Sequence, residues 1–161
     1  MVNIVNAGIG IIQLVIAIIL AVVALYIGFS VFGRITKGID EQKELAKGNV
    51  AVGILIASVF IAIGIVVQSG VAGVSTGISK ALAGDFLALV VSFLQLVLGI
   101  ILAVAAIYLA LNVLDKLTEG VEEFEELKKG NAAVALEMSG VIITTAIIIQ
   151  QGVLGITAAL V

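Results

Sequence analysis

The 161-residue chain is 62% hydrophobic and 12% charged, with a net charge of −3, against roughly 45–50% and 25% for a soluble domain. It contains no Cys and no His, which excludes disulfides, thiol chemistry, histidine acid–base catalysis and zinc sites built on those ligands. With so small a net charge and no basic–aromatic cluster, a nucleic-acid partner is not expected.

In chain order, the first apolar run is Ile4–Gly33. It lacks a basic leader and is too long for a signal-peptide core, so it reads as a retained membrane helix. Ala17, Ala21, Ala24 and Gly28 recur in steps of four, three and four, which places small residues on one helix face. Inside lipid, close backbone approach through such residues drives packing, within the chain or between subunits.

A charged hairpin follows at 34–49. Its stretch "IDEQKELAKGN" carries acidic residues early and lysines late, the order that suits a short helix dipole. Gly48 is placed to end that helix in the left-handed conformation, and Asn49 to cap the next one. The phrase "KGN" therefore reads as a corner, with Lys47 as an interfacial anchor.

The second membrane helix spans about 50–79, with Gly53, Ala57 and Gly64 on a small-residue face. Counting about 19–20 residues from either side of the corner places Gln13 and Gln68 at one level, ~30 Å away at 1.5 Å per residue. Both apolar runs continue past that level, so each exceeds an ordinary bilayer.

From here the chain repeats itself. Offset by 82 positions, 28 of the 68 pairs between Ile12–Ser79 and Leu94–Val161 are identical. The pattern "ELxKGNxAV" recurs, as do Thr36 and Thr118, Gly38 and Gly120, and Glu41 and Glu123. The reading is a tandem duplication: residues 1–82 form one two-helix repeat and residues 83–161 another. The second repeat has helices at about 86–114 and 132–161 and a hairpin at 115–131, with Gly130 and Asn131 at its corner. Gly99, Ala103, Ala106 and Ala110 continue the first small-residue face, while Gln95 and Gln150 continue the glutamine level. The fold class expected is all-α, a polytopic membrane protein of four helices arranged as two parallel repeats.

Seven of the eight Lys and Arg residues lie in the two hairpins, and only Lys80 lies elsewhere. The positive-inside rule then puts the hairpins in the cytoplasm of a cell membrane and both termini outside. The second hairpin carries six acidic residues against three basic ones, so 115–129 is a candidate surface for a basic cytosolic partner.

Glu137 is the one ionisable residue well inside a predicted span, ~9 Å from the corner. An intramembrane carboxylate is a functional candidate by default, although one so near the boundary can also snorkel.

The segments "KGNVAVGILIASVFIAIGI" and "KGNAAVALEMSGVIITTAI" resemble an uncharacterised prokaryotic membrane family, domain of unknown function 350, over nearly the whole chain. The resemblance implies a four-helix membrane protein and brings no reaction, cofactor or catalytic residue. Among the departures between the copies are Gly53 to Ala135 and Leu55 to Glu137.

No nucleophile–base pairing is visible, so no enzyme is expected. The function expected is a homo-oligomeric structural or scaffold component in contact with membrane lipids. The alternative is a channel or transporter lined by Gln13, Gln68, Gln95, Gln150 and Glu137. A proteolipid-like rotor subunit stands third, weakened by the shallow Glu137 and the long hairpins.

Overall fold

The computed structural model describes residues 4–35, 38–118 and 120–160. Thr36, singled out above, and Glu119, one of the six acidic residues of the second hairpin, lie outside the described residues. Six helices follow in order: α1 (Ile4–Ile35), α2 (Glu41–Ala46), α3 (Val50–Leu82), α4 (Phe86–Leu117), α5 (Glu123–Lys128) and α6 (Ala132–Leu160). The starts of α1, α2 and α3 each recur 82 residues on, in α4, α5 and α6.

α1, α3, α4 and α6 are each long and apolar enough to cross a membrane. At 32 or 33 residues, α1, α3 and α4 reach about 50 Å. They run slightly past the ends expected from the sequence, because charged residues enter the last turn rather than stopping the helix. Lys116 lies in the last turn of α4 and Lys80 in that of α3, where a cation complements the negative end of the helix dipole. Between α3 and α4 only Ala83, Gly84 and Asp85 remain, and Asp85 caps α4 by accepting from the Ala88 amide at 3.2 Å.

α3 is the hub. It packs against α6, α4 and α1, and 56% of its most apolar window is buried, against 6% for α1. Small residues set these approaches. The Ile63 side chain fills the place a Cβ on Gly28 would take, with Cγ1 2.8 Å from it. Leu96 does the same at Gly70 and Ser92 at Gly77, with their Cβ atoms 3.3 and 3.0 Å from those positions.

α1 lies at the edge. It rests on α3 and lightly on α4, and among the described residues it forms no packed interface with α6. It is held near one end by stacked Phe29 and Phe60 rings 5.3 Å apart and near the other by Gln13. Tyr26, Ile11 and Val22 on its outer side are exposed, a surface that suits lipid rather than water.

Candidate functional site

The two "KGN" phrases lie side by side at one end of the bundle. In the first, the Asp40 carboxylate accepts from the Lys43 amide at 3.1 Å and starts α2. Gly48, at φ +78°, and Gly130, at φ +84°, end α2 and α5 in the region that favours glycine. Asn49 Oδ1 accepts from the Val52 amide at 3.3 Å, and Asn131 Oδ1 accepts from Ala133 and Val134. Both asparagines therefore cap the returning helix, as their position in the sequence requires.

Their amide nitrogens do more. Asn49 Nδ2 donates to Glu44 Oε2 at 3.0 Å, and Asn131 Nδ2 to Glu126 Oε2 at 2.8 Å. Lys47 and Lys129 close the same carboxylates from the other side at 2.6 and 2.7 Å. Each lysine is thus tied within its own corner as well as standing at its edge. Lys47 first and Asn49 second hold the Glu44 carboxyl below the usual glutamate range. At Glu126 the Asn131 amide leads and Lys129 follows, with the same direction. Lys129 is raised in turn by its bond to Glu126.

One bond crosses between the corners. Asn49 Nδ2 also donates to the Leu127 carbonyl at 2.9 Å, with the Lys128 carbonyl at 3.4 Å. Sequence reasoning missed it, because spacing within one hairpin says nothing about the carbonyls of the other.

The acidic hairpin is less uniform than its composition. Glu123 is 2% exposed; the Thr118 hydroxyl hydrogen-bonds its Oε1, while its Oε2 has no partner among the described residues. Asp115, Glu122 and Glu125 instead edge a recess of about 270 Å³ with Tyr108, Asn112 and Phe124. Alternation of charge gave no sign that one carboxylate of the run turns inward.

The glutamines expected at one level are not level. Gln13 stands beside Ser75 and Ser79, at least seven residues or about 10 Å along α3 from Gln68. The counts began at Gly33 and Asn49, which are themselves offset, Gly28 lying against Ile63. Their surroundings also differ. Gln13 donates to the Ser75 carbonyl at 3.2 Å and to the Ser79 hydroxyl at 3.3 Å. Gln68 is exposed and lines an apolar groove of about 360 Å³ between α1 and α3, beside Ala17, Ala21, Leu25 and Gly64. Gln95 is buried, and neither end of its amide finds a partner among the described residues. Gln150 is half-buried. Glu137 is exposed on α6. Among the described residues, no hydrogen bond joins two of these five side chains.

The small-residue faces divide their work. Ala24, Gly28, Gly99 and Ala103 are buried, and Ala17, Ala21, Ala106 and Ala110 are half-buried. Val153 of α6 comes within 3.2 Å of a Cβ position on Gly99. On α3, Gly53 meets Leu45 of α2, whereas Ala57 and Gly64 face outward.

The family model described as Domain of Unknown Function (DUF350) matches residues 6–99 and again residues 88–161, and the chain belongs to that family. No curated protein and no solved structure matches it.

Proposed function

We propose that this member of the DUF350 family is a structural component of the cell membrane, a homo-oligomer that arose by tandem duplication of a two-helix hairpin. The observation that carries the reading is the pair of adjoining corners, where Asn49 bonds across to Leu127. They join two charged hairpins into one platform at one end of the bundle. The Lys/Arg bias of the hairpins supports a cytoplasmic platform. There the recess edged by Asp115, Glu122 and Glu125 offers a basic protein a docking surface. Outward-facing Ala57 and Gly64, with the apolar groove beside α1, supply surface for association within the bilayer. The test is the mass of the protein in detergent-free native lipid particles. A multiple of the 16.4 kDa chain is expected, and a single monodisperse chain overturns the reading.

Transport is the second reading, favoured by the Gln95 amide, which is buried without a described partner. A polar path through the α4 region would use that group. Glu137 contributes less to such a path, since it faces away from the bundle.

A further inference from the structure

We propose that a second copy of this chain seats its α6 in the open groove between α1 and α3, just as α3 seats against α4 and α6 within the chain. The inference rests on the duplicated, homo-oligomeric reading above and specifies its contact.

Positions 82 residues apart have opposite surroundings in a consistent direction. Leu96 is 4% exposed and sits against Gly70; its counterpart Leu14 is 59% exposed. The counterpart of Gly70 is Gly152, and a Cβ placed there meets nothing within 4 Å. Knob and hole are both present and both empty. Val66 of α3 is 2% exposed, whereas Ile148 of α6 is 67% exposed.

The groove follows the same rule. It is lined on the α1 side by Ala17, Ala21 and Leu25, whose counterparts on α4 are Gly99, Ala103 and Ile107. On α4, Ala103 and Ile107 lie against Ile63, Val66 and Val67 of α3 around a void of only about 20 Å³, and a Cβ on Gly99 would meet Val153 of α6 and then Val66 of α3. The residues that would fill the open groove by the same geometry are Ile148 and Ile149, on α6 of a preceding copy.

The corner end agrees. Leu127 is fully buried beneath the Asn49 bond, while its counterpart Leu45 is 45% exposed. Ile39 is 7% exposed and Val121, 82 residues on, is 38% exposed. In every one of these pairs the buried member and the exposed member fall on the sides that a head-to-tail arrangement of repeats requires. Each chain thus has one donor face on α6 and one acceptor groove at α1. Such an interface is head-to-tail, and it propagates in the membrane plane until the rotation closes a ring.

The chain has no cysteine of its own, so the contact is testable by introduced pairs. The template Cβ separation at Gly70 and Leu96, 3.3 Å, is close to the roughly 3.5–4.5 Å that a disulfide spans. Leu14→Cys and Gly152→Cys are placed in separately tagged chains, co-expressed, and oxidised in native membranes. Gly70→Cys with Leu96→Cys serves as the control that closes within one chain. The expected result is a disulfide only between the two unlike chains, and a ladder of multimers when one chain carries both changes. Gly152→Leu, whose Cβ would meet nothing within 4 Å in its own chain, is expected to reduce the assembly to single chains without loss of helix content.

Dimers formed by either single variant alone would overturn the head-to-tail contact in favour of a symmetric one. A doubly substituted chain that closes only on itself would also overturn it. An oligomer of unchanged mass with no unlike disulfide sinks this contact, leaves the oligomeric reading standing and assigns the groove to lipid. A single chain in lipid particles sinks both.

Discussion

The two corner asparagines allow one hydrogen bond to be isolated by subtraction. Asn49→Ala and Asn131→Ala each remove a helix cap and an amide bond to a glutamate five residues back. Loss of a cap alone costs about 1 kcal/mol and the glutamate bond is common to both, so these contributions cancel apart from the second amide, Ala133, that Asn131 also caps, which works against the expected difference. What remains is the Asn49 bond to the Leu127 carbonyl at 2.9 Å, for which Asn131 has no equivalent. A neutral side-chain-to-backbone bond contributes roughly 0.5–1.5 kcal/mol net. Asn49→Ala should therefore destabilise the chain by about 1 kcal/mol more than Asn131→Ala. The assay is reversible unfolding from mild detergent into SDS, followed by far-UV circular dichroism. Equal losses, or a larger loss for Asn131→Ala, would refute the view that this bond joins the two hairpins.

Two further outcomes follow from buried and paired polar groups. Gln95→Leu removes an amide buried without a described partner, and should stabilise the chain by about 1–3 kcal/mol in the same titration, since an unsatisfied buried group carries that cost. Destabilisation would mean that the amide is partnered, and a changed ion flux in proteoliposomes would favour the transport reading. The corners should also loosen in acid. Glu44 and Glu126 are held below their unfolded range, so their contribution is complete above about pH 4.3 and is lost as pH falls through the folded values. Exchange protection of the Val52 and Val134 amides, corrected for intrinsic rates, should be retained at pH 6 and fall below pH 4; constant protection would count against the pairing.

Much of this architecture is written locally. Four long apolar runs, two Gly–Asn corners and an 82-residue offset depend on neighbours in sequence, and each has its counterpart in α1 to α6. The sequence reading also placed Asn49 and Asn131 as caps, because capping needs only the three residues that follow. It did less well wherever partner choice matters. Counting from the corners put Gln13, Gln68, Gln95 and Gln150 at one height. Gln13 instead meets Ser75 and Ser79, well past Gln68 on α3, because the count takes both helices to leave the corner level. Nor does height say which way a side chain points around the helix. Gln13 faces α3 and Gln68 faces a groove, while Gln95 is enclosed. In a helix apolar on all sides the hydrophobic pattern carries almost no directional signal. The burial of Glu123 was hidden for a related reason, since it stands among five other acidic residues and only its contact with Thr118 distinguishes it.

The central place of α3 also sets a schedule for synthesis. This helix is complete at Leu82, whereas its two main partners end at Leu117 and Leu160. At about 5–20 residues per second, roughly 4–16 s pass before α6 is finished. Through that interval the surface around Gly70, Val66 and Ala62 lies against acyl chains. A soluble hub left bare for so long would invite aggregation, but lipid is as apolar as the helices that later replace it. Assembly is therefore driven by closeness of fit rather than by escape from water. A chain whose fit is spoiled should remain inserted as separate helices instead of precipitating.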